Sequence, residues 1–109
     1  MTVGELAERL SLRPLAAEDA DREATGVYIG DLLSWVMGRA QSGDVWVTIM
    51  SNINVVAVAS LADVACIVFA EDVVPDEKVI ATAKEKGVNL FTTEMTAFEV
   101  AVMLADLKK

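Results

Sequence analysis

The 109-residue sequence predicts an α/β fold: a mostly parallel, five-stranded sheet with helices on both faces, a three-layer α/β/α sandwich. Three observations carry this. Apolar residues make up 54% of the chain, mostly Val, Ala and Leu with few aromatics, which suits strands buried on both sides. Short branched runs at Val45–Ile49, Val64–Phe69 and Val88–Phe91 alternate with segments of helical character. Strand–helix order repeated along a chain is the mark of a parallel sheet with right-handed crossovers.

The elements follow in order. Thr2-Val3-Gly4-Glu5 has the form of a capping box, with a short helix running to about Leu10. Leu12–Ala16 reads as a strand that Pro14 confines to a sheet edge, and Glu18–Glu23 as a charged loop. Gly26–Gly30 is a brief strand between glycines. Asp31 then reads as the N-cap of a helix burying Leu32, Leu33, Val36, Met37 and Ala40, ended at Ser42-Gly43-Asp44. Val45–Ile49 is the next strand. Asn52–Ala62 fits a strand or a buried helix by pattern alone; the spacing favours a crossover helix capped by Ser51 or Asn52. Val64–Phe69, apolar on both faces, is expected at the sheet centre. Pro75 opens a helix at its first position, with Asp76 and Glu77 in the first turn, Lys84 and Lys86 in the last, and Gly87 closing it. Val88–Phe91 is the last strand. Thr96 and Glu99 form a second capping box before the closing helix.

Length and charge narrow the functions. Residues 1–109 are read as one domain, long enough for a core without staples. The net charge is −8, there is no His, and the basic residues are scattered, with a Lys108–Lys109 tail. Nucleic acid and membrane are therefore not expected partners. The N-terminus has Glu5, Glu8 and Arg9 where a signal peptide needs an apolar stretch, so a cytoplasmic location is expected. Cys66, the one cysteine, lies in an apolar run and reads as a small core residue.

No catalytic constellation is present: the commonest general base is missing with His, no G-x-S-x-G elbow surrounds a serine, and Gly26-x-x-x-Gly30 lacks a P-loop ending. One Cys and no His exclude a zinc site, and neither metal nor cofactor is assigned. The chain is read as not an enzyme. In an open parallel sheet, ligands sit beyond the carboxyl ends of the strands. Gly30-Asp31, Ser51–Asn54, Glu71-Asp72 and Thr92–Glu94 belong there; four acids among them disfavour a bare anion.

The stretch Asp21-Arg22-Glu23-Ala24-Thr25-Gly26-Val27-Tyr28-Ile29-Gly30 contains D, R, T, G and G in order. Together with Trp46–Ile49, Asn52–Ala59 and Ala65–Val68, it resembles the DRTGG domain family, from about Leu12 to Leu104. A similar order occurs in the N-terminal domain of HPr kinase. The resemblance implies a three-layer α/β/α domain of regulatory character, found in relatives beside CBS domains, with no kinase chemistry of its own. It also resolves Asn52–Ala62 as helix. Two functions follow. One is a sensor of a small phosphorylated ligand, an adenine nucleotide first among them, bound by Arg22, Thr25, Gly26, Gly30, Asp31, Asn52, Asn54 and Thr93. The rim members Asp31, Asn52, Asn54 and Thr93 are expected to converge in one shallow pocket beside Arg22; their dispersal counts against the sensor. The alternative is an interaction module, assembling with itself or acting in trans on a larger enzyme.

A homodimer or larger assembly is expected. In Met95–Leu107 only Thr96, Glu99 and Asp106 are polar; Phe98, Ala101, Val102 and Ala105 form one face and Val100, Met103, Leu104 and Leu107 another. A helix on a sheet needs only one apolar face. Either a partner or the N-terminal helix covers the second.

Overall fold

The computed structural model describes residues 1–107, so the Lys108–Lys109 tail lies outside the described residues. Ten elements follow in the expected order: α1 Val3–Arg9, β1 Arg13–Ala16, β2 Gly26–Ile29, α2 Leu33–Arg39, β3 Asp44–Thr48, α3 Asn54–Ala62, β4 Cys66–Phe69, α4 Glu77–Lys86, β5 Leu90–Thr92 and α5 Ala97–Leu104. They form one five-stranded sheet in the order β1-β5-β4-β3-β2. β2 through β5 run parallel, and β1 joins β5 antiparallel. The strand expected at the centre is there, third of five.

Side chains on a strand point alternately to opposite faces, and here both faces are dry. Val45, Val47, Cys66, Val68 and Phe91 pack under α1 and α5, with Val3, Leu6, Val100 and Leu104. Trp46, Ile67, Phe69 and Leu90 pack on the other face, against Val36 of α2, Val55, Val56 and Ala59 of α3, and Val79 and Ala83 of α4. Each large aliphatic buried this way contributes roughly 1.5–3 kcal/mol.

Local signals hold where local chemistry decides. Thr2 and Glu5 close their capping box, as do Thr96 and Glu99. Gly87 ends α4 at φ +69°, the left-handed region glycine reaches without strain. Three helix starts differ from expectation. Pro75 precedes the cap of α4 instead of opening the helix: Asp76 is the N-cap, accepting from the Lys78 and Val79 amides. α3 starts after Ile53 with no side-chain cap, although Asn52 accepts from the Asn54 amide at 2.8 Å. Asp31 does not cap α2, whose N-cap is Leu32, because its carboxylate is engaged by β3. Of the five residues assigned to the buried stripe of α2, only Val36 is fully buried; Leu32 and Met37 are exposed. Trp35 is about half exposed and stacks under Arg39, 3.7 Å from the guanidinium carbon to the ring centre.

No helix among the described residues is long and apolar enough to cross a membrane.

Candidate functional site

The eight candidate residues separate into three groups and do not share a pocket. Arg22, Thr25 and Gly26 lie at the amino ends of the strands. Gly30, Asp31, Asn52 and Asn54 lie at the carboxyl ends of β2 and β3. Thr93 follows β5, three strand positions from β2 in the sheet, or roughly 14 Å at ordinary strand spacing. The expected convergence beside Arg22 is therefore wrong. Strand direction is the reason: the signature crosses β2 from one end to the other, so its two halves face opposite rims.

At the amino end, Arg22 is already engaged. Its guanidinium donates to Asp63 Oδ1 at 3.0 Å and to the Asp63 carbonyl at 2.8 Å. Asp63 ends α3 at φ +59°, so a cation meets the carbonyl end of that helix, where the dipole favours it. Ser42 donates to the other carboxylate oxygen at 2.5 Å. The Ser42 hydroxyl and then the Arg22 guanidinium hold the Asp63 carboxyl below its ordinary value near 3.8. Thr25 packs on Gly43: the Thr25 amide donates to the Gly43 carbonyl at 2.9 Å. Gly43 has φ +87°, and a Cβ there would lie 2.4 Å from Thr25 Oγ1, so any other residue would be strained and would have to displace the Thr25 side chain. Neither Gly26 nor Gly30 has positive φ; Gly30 instead admits the Tyr28 ring, 3.0 Å from where a Cβ would stand.

This arrangement sets a pH-dependent expectation. A depressed carboxylate pKa stabilises the fold above the unfolded value and is lost as pH falls through the folded one. Arg22→Gln should cost about 0.5–1 kcal/mol at pH 7, a modest figure because Asp63 is largely solvated. The cost should shrink once Asp63 is protonated. Urea unfolding of both proteins at pH 7 and near pH 3 checks this; an equal difference at both would mean that Arg22 acts through something else.

At the carboxyl end, Asp31 staples β2 to β3. Its Oδ1 accepts from the Thr48 hydroxyl at 2.7 Å and from the Ile49 amide at 3.0 Å, while the Met50 amide donates to Thr48 Oγ1 at 3.0 Å. Beside it, Trp46 Nε1 donates to the Gly30 carbonyl at 2.8 Å. The buried Thr48 and Trp46 are satisfied by the turn that follows β2.

Thr93 borders a separate open groove of about 540 Å³ with Ser11, Arg13, Asp72 and Glu94 among its walls. Glu71 and Asp72 both take left-handed backbone, φ +56° and +61°. Their amides donate to the Met95 and Thr93 carbonyls at 2.8 and 2.7 Å, tying this loop to the start of α5. One cation and two acids line the groove, so its potential is mixed. Among the described residues, no three His, Cys, Asp or Glu side chains gather as a metal site. Cys66 is fully buried, and burial pushes its thiol up to about 12, far from the thiolate that redox chemistry needs.

Sequence reasoning missed Asn89. It is 2% exposed. Its Nδ2 donates to the Asp19 and Ala65 carbonyls at 2.9 and 3.0 Å, and its Oδ1 accepts from the Asp19 amide at 3.1 Å. An Asn before a strand carries no signal that its partners lie 70 and 24 residues away.

No curated protein matches the chain in sequence. Among solved structures, it is similar to the CBS and DRTGG domains of the regulatory region of Clostridium perfringens pyrophosphatase, a crystal structure complexed with the activator diadenosine tetraphosphate. The TM-score is 0.75 at 12% identity, over 98% of this chain and 47% of that one. The chain thus spans about half the length of that relative, and the likeness concerns the fold. The DRTGG domain family matches residues 5–107, nearly every residue that builds the sheet and its helices: the chain belongs to the DRTGG domain family.

Proposed function

We propose that the chain is a regulatory domain of the cytoplasm, without catalysis of its own, that works by association. The observation carrying this is the surface of α5. Val100 and Leu104 are buried on the sheet, yet Phe98 is 74% and Val102 58% exposed. α1 packs beside α5 through Val3 and Leu6 and leaves that outer face open. An apolar surface of this kind marks a contact with another protein surface.

A second reading, a sensor of an adenine nucleotide or similar phosphorylated molecule, is favoured by the C. perfringens regulatory region, complexed with diadenosine tetraphosphate. Against a pocket built from the signature stands the engagement of Arg22 by Asp63. Thermal unfolding with AMP, ADP, ATP and diadenosine tetraphosphate, with and without Mg²⁺, separates the two. A ligand at a hundred times its Kd stabilises by about 2.7 kcal/mol. The association reading expects no saturable shift in the isolated domain; a saturable rise of several degrees would replace it with the sensor.

A further inference from the structure

The two free edges of the sheet are built differently. β1 carries an exposed Arg13, Pro14 and a register shift between Pro14 and Ala16, devices that blunt an edge against further pairing. β2 has none of them within its own four residues, although just before it Met1–Val3 pair with Arg22–Ala24. Gly26-Val27-Tyr28-Ile29 contains no proline and no charge, and its register with β3 is unbroken. Along its outer side lies a groove of about 420 Å³, walled by Val27, Tyr28, Ile29, Ala101, Leu104 and Ala105. The crest of α5, Phe98 and Val102, stands beside it, because positions 98, 101, 102 and 105 share one side of a helix.

We propose that this surface is closed by a second copy of the chain. β2 pairs antiparallel with its counterpart about a two-fold axis, and Phe98 of each copy enters the groove of the other. The proposal rests on the association reading and names its partner.

Three arguments select a second copy. The first is distance. α5 packs over both β2 and β3, about half a strand spacing inside the edge. Continuing the sheet at its usual ~4.8 Å across a dyad sets the two α5 axes about 10 Å apart, the separation of packed helices. The second is shape. Antiparallel apposition of α5 with its copy sets Phe98 against Ala105 and Val102 against Ala101, large against small at each step. The third is charge. Two chains of net −8 repel where their acids meet, but no groove or crest residue is charged, so two copies meet here without apposed acids. A basic partner would gain nothing from the same surface. Ile29, Phe98 and Val102 supply most of the exposed apolar area of this surface, a contact smaller than the standard ~800 Å² per partner.

Sedimentation velocity of the whole chain at tens of micromolar should give twice the 11.7 kDa of one copy. Val102→Glu and Ile29→Lys should each halve that mass. Both positions are exposed in the single chain, so thermal unfolding of dilute protein should be unchanged and shows that the variants fold. Phe98→Cys combined with Ala105→Cys should give a covalent dimer on mild oxidation, since the pair is too far apart along one helix to close within a copy; buried Cys66 stays out of the reaction. A monomeric wild type would overturn the proposal. So would a dimer that survives both substitutions without crosslinking, although association would then stand at another surface. A saturable nucleotide shift in monomeric Val102→Glu would instead remove the association reading itself.

Discussion

Ile67→Asp is expected to abolish cooperative unfolding. Ile67 lies in β4, the middle strand, paired with Trp46 on one side and Leu90 on the other. It has no solvent exposure. The substitution removes a buried aliphatic group, a loss of about 2–5 kcal/mol on the scale of Ile→Ala. It also places a carboxylate among Trp46, Phe69, Val55 and Leu90, where no cation reaches it; that costs several kcal/mol more, whether the group stays ionised or takes up a proton. Domains have only about 5–15 kcal/mol in total. Urea unfolding followed by near-ultraviolet circular dichroism should lose its sigmoid. Ile49→Asp is the matched control: Ile49 is 47% exposed just past the end of β3, and its change should stay within about 0.5 kcal/mol. A cooperative transition in Ile67→Asp close to that of wild type would refute the central placement of β4.

Asn89→Leu is expected to cost about 2–4 kcal/mol, although it keeps the bulk of the side chain and adds apolar surface. The Asn89 amide joins three separated segments: the β1–β2 loop at Asp19, the start of β4 at Ala65, and its own position before β5. Leucine has neither donors nor acceptor, and the Ala65 carbonyl is left buried without this partner. An unsatisfied buried group costs roughly 1–3 kcal/mol, beyond the bonds themselves. At roughly 4–8 °C per kcal/mol for a domain near this size, the melting temperature should fall by at least ten degrees or so. Among the described residues, every buried side-chain nitrogen and oxygen has a partner, so there is no spare group to re-pair with. A fall of only a degree or two would mean that water replaces the amide and that the three segments are held by packing alone.

The division between what was legible and what was not follows the range of each interaction. The sequence by itself determined the element order, the parallel sheet, the central place of Val64–Phe69, the edge place of Pro14 and both capping boxes. Those depend on periodicity, or on residues three apart, as Thr2 with Glu5 and Thr96 with Glu99. It also separated the two faces of α5, Val100 with Leu104 and Phe98 with Val102, because helical spacing alone sorts them. Only the tertiary structure decided what the polar residues do. Asp31 looks like a cap, yet bonds Thr48, 17 residues on. Arg22 looks like a phosphate ligand, yet bonds Asp63, 41 residues on. Pro75 fits the first turn of α4 by its missing amide, but Asp76 takes the cap because its carboxylate accepts two amides. Asp31 and Arg22 share one physical reason. Apolar burial is nondirectional and scales with area, so a pattern of residue types predicts most of it, α2 being the exception with only Val36 of its five expected residues fully buried. A hydrogen bond or ion pair requires one partner at one distance and angle, and that partner is chosen only when the sheet has brought distant segments together.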